Sequence, residues 1–556
     1  MRLTLLLTTR LLLPLLGLPL GAAAQAPAPS VAPVAAAKLP VAARSPAAAD
    51  SLTGPASDKY HRGAIGRFFF GTHYRPTWAM PVTAPVFRPA QLLGGLKAVR
   101  EGGSMQTLNL RMLAPDGRQY VLRSVDKDLA RALPEDKRKS LKAKMLQDQT
   151  AAVFPYGALV AAELAQAVKV YHATPVLYRV PSDENVLGEF QESFAGKLVF
   201  LEERPDGNWT GQRSFGGSAE VVSSRTMLRQ RYGSAEATIR PPLLDMNGPA
   251  PARAYLRARL LDILLADWSR REDQWRWART DAPPAENGTV RYQAIPRDRD
   301  HAFSRYSDGL LPGIAVLFNS KIVTFGPKIG RIDPYLKTAY PLDNVLLGWL
   351  SRADFEAEAD SIKRYLPDAA LDRALTRLPE NVQRLNGRRL RQNLQRRRDQ
   401  LPAAARALYA ALSREVVLPG TDGPDEYTFG AGANGGLSLT WVSHTDSTGR
   451  GGASTYRRTF TKAETKRIYV YALGGDDRLT LTGPLPKDAP AVEFFDGAGN
   501  DQAWRTGQGE MPRWFRIRAS GDVNRFDALP EWARKPAKNA PARDFDAAGF
   551  LLRHRL

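Results

Sequence analysis

Residues 107–125 have the sequence TLNLRMLAPDGRQYVLRSV, in which two alternating apolar and polar runs flank Pro115-Asp116-Gly117. Alternation with a period of two is typical of a strand with one buried face, and Asp-Gly favours a tight turn between paired strands. Upstream, the glycine pairs at 94–95 and 102–103 bound another short apolar run. The pattern predicts a glycine-punctuated antiparallel meander and therefore a β-rich region.

Two helices are predicted downstream of this meander. Residues 147–168 favour a helix that Pro155 should kink or split, because proline has no backbone N–H to donate and its ring clashes with the preceding turn. Residues 252–268 place Leu256, Leu260 and Leu264 at helical spacing. That spacing predicts a helix with one buried face.

The complete order of elements is a β-rich section, a larger helical section and a second β section. It predicts an α+β fold with two lobes, in the order found in two-lobed kinases, followed by a small β-rich module. The expected divisions are a signal peptide at 1–24, a disordered Ala/Pro-rich leader at 25–59, a β-rich N-lobe at 60–210, a mainly helical C-lobe at 211–420, a β module at 421–520 and a loosely ordered tail at 521–556.

The N-terminus has the three parts of a secretory signal peptide. Arg2 supplies the basic start, an apolar run follows, and small residues occupy 21–24. The uninterrupted apolar run at 11–20 is shorter than the roughly 20 residues that a spanning helix needs, so no transmembrane span is expected after signal cleavage. We therefore expect an exported protein that is periplasmic, secreted or associated with the outer membrane. The chain contains no cysteine, which excludes disulfides and lipid-modified cysteines.

The chain is strongly basic, with a formal net charge of +21. In an exported protein this charge favours lipopolysaccharide, anionic lipid, another cell-surface polyanion or an outer-membrane partner over nucleic acid. The sequence contains no His-Glu-x-x-His helix, no Gly-x-Ser-x-Gly elbow and no Walker-type phosphate loop. The absence of these three motifs argues against a zinc protease, a serine hydrolase and a P-loop NTPase.

Three segments together resemble a known family: YVLRSVDKD at 120–128, DWSRREDQWRW at 267–277 and RDRDHAF at 297–303. They resemble a kinase-like region in exported proteins of Bacteroidetes-type bacteria, which often lies beside a metallophosphatase domain or an outer-membrane β-barrel. That region is similar in turn to atypical kinases of the spore-coat CotH type, the secretory-pathway casein-kinase type and the phosphatidylinositol 4-kinases. The resemblance covers roughly residues 60–507 and implies a two-lobed atypical kinase-like fold.

Phosphoryl transfer needs a cation on the nucleotide phosphates and an acidic partner that orients it. The resemblance implies that this cation is Arg123 or Lys127, which lie four residues apart on one face of a strand. Arg123 stands where kinases have lysine. Asp148 or Glu163, on the helix that follows, would orient the cation.

The resemblance also implies the remaining parts of a nucleotide site. Glu202 and Glu203 follow an apolar strand and resemble a hinge that contacts a purine through its backbone. Residues 94–103 would cover the phosphates. Asp300 would hold the metal with Asp298 as its neighbour, so Mg²⁺ and ATP are the implied cofactors.

The catalytic loop departs from the family pattern, which is Asp-Trp-Asp-Arg-His-Glu-Asp-Gln-Trp. In this chain Ser269 replaces the second aspartate and Arg271 replaces the histidine. Neither side chain can accept a proton from a hydroxyl group at neutral pH. Asp267 and Asp273 remain as candidate catalytic residues, and Asp273 is also a candidate metal ligand. The sequence therefore predicts a slow kinase or a pseudokinase, unless Asp267 acts as the base.

Structural explanations stand beside these functional ones. The tryptophans of the loop are equally typical of a core, and its charged residues of a structural ion-pair network; the residues concerned are Trp268, Trp275, Trp277, Arg270, Arg271 and Asp273. The whole chain also fits a second function, a non-catalytic basic scaffold of the cell envelope that binds lipopolysaccharide, anionic lipid or an outer-membrane partner.

Two glycine-aspartate segments, 473–479 and 496–501, resemble the turns of calcium-binding β-rolls. Two imperfect copies are a weak signal, and ordinary Asp-Gly turns are the favoured interpretation. Calcium at Asp476, Asp477 or Asp501 is therefore the less favoured prediction.

Overall fold

The computed structural model describes residues 50–102, 107–128, 134–232, 249–280, 291–318, 321–421, 423–444, 453–507, 510–519, 526 and 529–536. These residues belong to one compact unit that comprises 44–556. The predicted signal peptide and most of the predicted leader lie outside the described residues. No described helix combines the length and the apolar composition that crossing a bilayer requires.

A five-stranded antiparallel sheet forms the first lobe. Short elements precede it: β1 (Ser51–Gly54), α1 (Ala64–Phe70), α2 (Arg75–Ala79) and β2 (Val82–Pro85). The sheet itself comprises β3 (Lys97–Gly102), β4 (Thr107–Leu113), β5 (Gln119–Lys127), β6 (Val176–Arg179) and β7 (Leu198–Glu203), in the order β3-β4-β5-β7-β6. In the turn between β4 and β5, Gly117 has φ +83° and the Arg118 N–H donates to Asp116 Oδ1 at 3.0 Å. The predicted meander is confirmed.

Two helices occupy the segment in which one kinked or split helix was predicted. They are α3 (Leu141–Asp148) and α4 (Gly157–Ala167), and Pro155 lies in the segment between them. The predicted split is confirmed, because proline cannot continue the hydrogen-bond ladder. The first helix begins earlier than predicted. A short helix, α5 (Gln191–Phe194), precedes β7.

The second lobe is mainly helical and contains a three-stranded sheet of order β10-β9-β8. Its strands are β8 (Val221–Ser223), β9 (Trp275–Arg279) and β10 (Tyr292–Pro296). Its helices are α6 (Ser224–Tyr232), α7 (Pro249–Leu265), α8 (Leu310–Phe318), α9 (Asp333–Leu336), α10 (Tyr340–Leu347), α11 (Arg352–Tyr365), α12 (Asp368–Leu375) and α13 (Glu380–Ser413).

Helix α7 lies at the centre of this lobe, packed by α10, α11, α13 and β10. Leu256, Leu260 and Leu264 are buried as predicted, but so are Arg259 and Asp262. The prediction of a single buried face was therefore wrong, because polar residues of this helix pair with one another and with Asp343 inside the core. Trp275 and Trp277 are fully buried on β9, which supports their interpretation as core residues.

The C-terminal module consists of two five-stranded sheets with a shared apolar core. Its strands are β11 (Glu415–Pro419), β12 (Asp425–Ala431), β13 (Leu437–His444), β14 (Ala453–Phe460), β15 (Arg467–Tyr471), β16 (Arg478–Thr482), β17 (Ala491–Phe495), β18 (Gln502–Thr506), β19 (Phe515–Ala519) and β20 (Arg534–Pro536). From β15 to β19 successive strands alternate between the two sheets and pair in parallel with the strand two before or after them. The predicted α+β fold of two lobes followed by a β module is confirmed.

Buried aspartates join the turns of this module. The Asp425 N–H donates to Asp477 Oδ1 at 2.8 Å, and the Asp477 N–H donates to Asp501 Oδ1 at 2.9 Å. The Asn500 N–H donates to Asp476 Oδ1 at 3.0 Å. The carboxylates that were considered as calcium ligands therefore accept hydrogen bonds from backbone N–H groups of neighbouring turns.

Asp425 makes the stability of the module dependent on pH. Its side chain is fully buried, and burial raises its pKa to about 6. In the unfolded chain this carboxyl group has a pKa of about 3.9. At pH values between the two pKa values, the folded state therefore holds a proton that the unfolded state has lost. Stability should fall by about 3 kcal/mol in total with rising pH, and most of this loss should occur between about pH 4 and about pH 6. The Asp425→Asn variant should lack this fall in the free energy of unfolding. The measurement is the difference between the unfolding free energies of the wild type and the variant at several pH values, which should decrease as the pH rises. A difference that does not change with pH would contradict the prediction.

Candidate functional site

Charged side chains from both lobes meet in one cleft. The sheet contributes Arg123 and Lys127 from β5 and Glu202 from β7, and the turn that follows β10 contributes Asp298 and Asp300. The remaining charged lining residues are Glu203, Arg204, Arg297 and Arg299. Apolar residues line the other side, among them Val121, Ala158, Ala162, Pro175 and Phe200.

Arg123 contacts three carboxylates. Its Nε lies 2.7 Å from Glu202 Oε1, and its Nη1 lies 3.3 Å from Asp298 Oδ1 and 4.0 Å from Asp300 Oδ1. Burial opposes the charge of Arg123, but these three carboxylates outweigh burial and raise its pKa. The guanidinium is therefore held in place as a permanent cation.

Lys127 contacts the same turn from the end of β5. Its Nζ lies 2.6 Å from Asp300 Oδ2, and the Thr107 hydroxyl donates to the same oxygen at 3.4 Å. The Asp298 and Asp300 side chains are each 31% exposed, towards the cleft. Partial burial and the neighbouring Asp298 raise the pKa of Asp300, whereas Arg123 and other donors outweigh burial and lower the pKa of Asp298.

The turn that carries these carboxylates is tied to the predicted catalytic loop. Asp298 has φ +58°, in the left-handed region that few non-glycine residues adopt. The Gln274 side-chain amide donates to Asp298 Oδ2 at 3.0 Å, and the Arg297 N–H donates to the Gln274 carbonyl oxygen at 2.8 Å. Contacts of this kind can hold a strained residue in place.

Behind the turn lies a buried ion-pair network centred on Asp262 of α7. Asp262 accepts from Arg259 at 3.1 Å and from Arg270 at 2.9 and 3.0 Å, and Arg299 Nη1 lies 3.5 Å away. Burial alone would raise the pKa of Asp262, but the three arginines outweigh it and lower the pKa. Arg270 also donates to the carbonyl oxygen of Arg297. The network therefore connects the helix, the loop and the turn.

The structure places Asp148 and Glu163 outside the cleft. Asp148 forms ion pairs with Arg75 at 2.7 Å and Arg62 at 3.1 Å, and Glu163 lies 3.9 Å from Arg377. Neither orients Arg123 or Lys127. The carboxylate that pairs with Arg123 from the sheet is that of Glu202, which the resemblance had assigned to a hinge.

Glu203 turns away from its neighbour. Its carboxylate accepts from the Thr174 N–H at 2.7 Å and from the Ser214 hydroxyl at 3.0 Å, and burial raises its pKa. Of the glycine segment at 94–103, residue 103 lies outside the described residues together with 104–106. Its role as a cover for phosphates stays a prediction.

The two candidate catalytic aspartates do not line the cleft. Asp267 is buried and accepts from Arg270 at 2.7 Å; burial, opposed by Arg270, raises its pKa to about 7. Asp273 is exposed and pairs with Arg271 at 2.9 Å. Ser269 is partly exposed, in the loop between them. Asp267 and Arg270 therefore belong to the buried ion-pair network. Of the three residues that the alternative interpretation placed in such a network, Arg270 belongs to it, whereas Arg271 and Asp273 pair with each other at the surface.

The sequence analysis did not single out Asp262 or Arg299, or the pairing of Glu202 with Arg123. Asp262 interrupts the otherwise apolar run 260–265, and that signal was available. No comparable signal marked the pairing of Glu202 with Arg123, because it depends on β5 and β7 being neighbours although three helices and β6 separate them in the chain.

No protein-family model matches the chain, and no curated protein matches it either. Three solved structures resemble it distantly. The Helicobacter pylori proinflammatory kinase CtkA has 11% sequence identity, and the match covers 57% of this chain and 96% of that one at a TM-score of 0.29. A Golgi casein kinase with Mn and ADP bound has 8% identity, with 57% and 73% covered at a TM-score of 0.26.

The third structure is the amicoumacin kinase hAmiN in complex with AMP-PNP, Ca²⁺ and Ami. It has 13% identity, and the match covers 58% of this chain and 90% of that one at a TM-score of 0.15. Because all three TM-scores are low, the description of the fold rests on the order and pairing of this chain's own elements.

Proposed function

We propose that this chain is an exported kinase-like protein that binds a Mg²⁺–nucleotide, or another phosphate-bearing ligand, in the cleft between its lobes. One observation carries the proposal: two cations of the sheet, Arg123 and Lys127, face two carboxylates of the turn, Asp298 and Asp300. Cations for phosphate and carboxylates for metal are the two charge types that phosphoryl transfer requires together. The signal sequence at 1–24 supports export.

The carboxylates suit Mg²⁺ in their chemistry. Mg²⁺ prefers oxygen ligands and is usually bound by one or two carboxylates together with phosphates and water. Asp298 and Asp300 supply two such groups, partly exposed to the cleft. Within the described residues no group of three or more His, Cys, Asp or Glu side chains is suited to a metal, so other ligands would come from nucleotide and water. When bound, Mg²⁺ neutralises phosphate oxygens.

The residues of the chain would bind and orient the ligand. Arg123 and Lys127 would contact phosphate oxygens, and Glu202 would hold the Arg123 guanidinium in position. The cleft offers about 90 Å³, and both cations are paired with carboxylates that line it. A phosphate ligand must therefore displace Asp298 and Asp300 from the cations.

The experiment that tests this function is a thermal-shift titration with Mg²⁺ and ATP. Binding to the native state alone raises the melting temperature. No shift at millimolar nucleotide would favour the envelope scaffold over a nucleotide-binding protein.

We also propose that the catalytic loop is decayed. Ser269 cannot act as a base, and Asp267 is held inside the ion-pair network. Ser269→Asp should raise autophosphorylation, measured with radiolabelled ATP, by about a hundredfold or more, which is the usual contribution of a general base. Ser182→Asp, at an exposed site in the first lobe, is the matched control. A Ser269→Asp protein that binds Mg²⁺–ATP but transfers no phosphate would contradict the idea.

A further inference from the structure

Two neighbouring helices expose a concentrated set of apolar side chains. Six of the thirteen large hydrophobic side chains that are exposed in the described residues lie on α1 and α8, and we call them the apolar patch: Ile65, Phe68, Phe69, Leu310, Leu311 and Ile314. Ile65 is 78% and Phe68 65% exposed. Their spacing places three residues on one face of each helix. Exposed patches of this kind mark interaction sites.

The two helices are fixed side by side. A Cβ on Gly71, at the end of α1, would lie 2.0 Å from the carbonyl oxygen of Asp308, just before α8. Gly71 and Gly309 both have positive φ, so the backbones approach where only glycine fits. The His73 N–H donates to Asp308 Oδ2 at 2.6 Å, and Arg305 pairs with the same carboxylate at 3.2 Å. The apolar patch therefore lies on two helices whose relative position is fixed by these contacts.

Positive charge is in excess beside the apolar patch, because Arg62 and Arg305 are paired with Asp148 and Asp308 whereas Arg67 adds a further cation. Neither α1 nor α8 contains an acidic residue, and Arg67 of α1 is exposed with no ion pair among the described residues. Arg62 lies just before α1, with its guanidinium 5.2 Å from the Phe70 ring centroid. The chain as a whole carries +21. A second copy would bring the same charge to the contact and be repelled.

We propose that the apolar patch docks on an anionic lipid surface. Phenylalanine and leucine side chains bury in the boundary between headgroups and acyl chains, and basic residues beside them add electrostatic attraction to anionic lipid. The surface combines both features, and its two adjacent aromatic rings, Phe68 and Phe69, are 65% and 40% exposed. The proposal is independent of nucleotide binding, because no residue of the apolar patch lines the cleft.

The first test is vesicle flotation with the full chain. Vesicles with equal parts phosphatidylglycerol and phosphatidylcholine should bind the protein, and pure phosphatidylcholine should bind it more weakly. The triple variant Ile65→Ser, Phe68→Ser, Ile314→Ser should bind anionic vesicles about tenfold or more weakly, because three buried apolar side chains are lost. Arg67→Glu should weaken binding by about fivefold or more. Leu385→Ser, at an exposed leucine of α13, should change nothing.

A second test distinguishes vesicle binding through the apolar patch from binding through residues 1–49, which the wild type and all the variants contain. Because the chain has no cysteine, Ile65→Cys can be labelled at one position with a polarity-sensitive dye, and Leu385→Cys provides the control. Anionic vesicles should blue-shift the dye at 65 and leave the dye at 385 unchanged. Three results would overturn the proposal: no shift at 65, equal shifts at both positions, or a shift at 65 without vesicles that rises with protein concentration, which would indicate a second copy.

Discussion

Asp262→Ala should lower the free energy of unfolding by about 3–5 kcal/mol, the usual cost of removing one partner from a buried ion pair. Asp262 is fully buried and is the shared carboxylate of Arg259, Arg270 and Arg299. Without it, Arg259 keeps Asp343 and Arg270 keeps Asp267, but Arg299 loses its ion pair. The excess of buried positive charge then opposes folding.

Chemical denaturation of the full chain measures this loss, and Asp333→Ala is the matched control. Asp333 pairs with Arg331 at 3.1 Å in an exposed position, where ion pairs contribute little. The control should unfold as the wild type does. A loss in Asp262→Ala no larger than that in the control would mean that the network does not support the core of the second lobe.

Asp300→Ala should abolish the stabilisation that Mg²⁺ and nucleotide give to the wild type. At a ligand concentration of about a hundred times Kd, binding should add about 2.7 kcal/mol to the wild-type free energy of unfolding. Asp300 pairs with Lys127 at 2.6 Å and is half of the proposed metal site. Removing the Asp300 side chain eliminates a proposed metal ligand and also the ion pair that orients Lys127.

The ligand-induced difference is the quantity to compare, because Asp300→Ala also leaves Lys127 without its partner and lowers stability by itself. The same Asp333→Ala control should keep the full ligand effect. A variant that loses Asp300 and still gains the wild-type stabilisation from Mg²⁺–nucleotide would show that the ligand binds elsewhere.

The order of elements was predictable, because alternation, helical spacing and Pro155 act within short segments. The geometry of the site was predictable in part. Local alternation placed Arg123 and Lys127 on one face of a strand, but their meeting with the turn at Asp298, 175 residues after Arg123, was expected only from the family resemblance. The partner of Arg123 was not predictable: Asp148 follows it on a helix but faces Arg75, whereas Glu202 reaches it across strands that are distant in sequence.

The C-terminal module illustrates the same limit. Its strands and Asp-Gly turns were visible as local patterns, but within each sheet the parallel pairs join strands that are not consecutive in the chain. Calcium was the less favoured interpretation of these aspartates, and it stayed open because only their spacing was visible. The structure directs Asp477 and Asp501 oxygens at backbone N–H groups of neighbouring turns, a role that spacing alone does not distinguish from metal binding.

The most direct measurement is a crystal of the full chain grown with Mn²⁺ and a non-hydrolysable ATP analogue, in which anomalous scattering locates the metal. The account predicts that Mn²⁺ is bound by Asp298 and Asp300 and that analogue phosphates contact Arg123 or Lys127. An anomalous peak on another surface, or an analogue bound away from these four side chains, would contradict it.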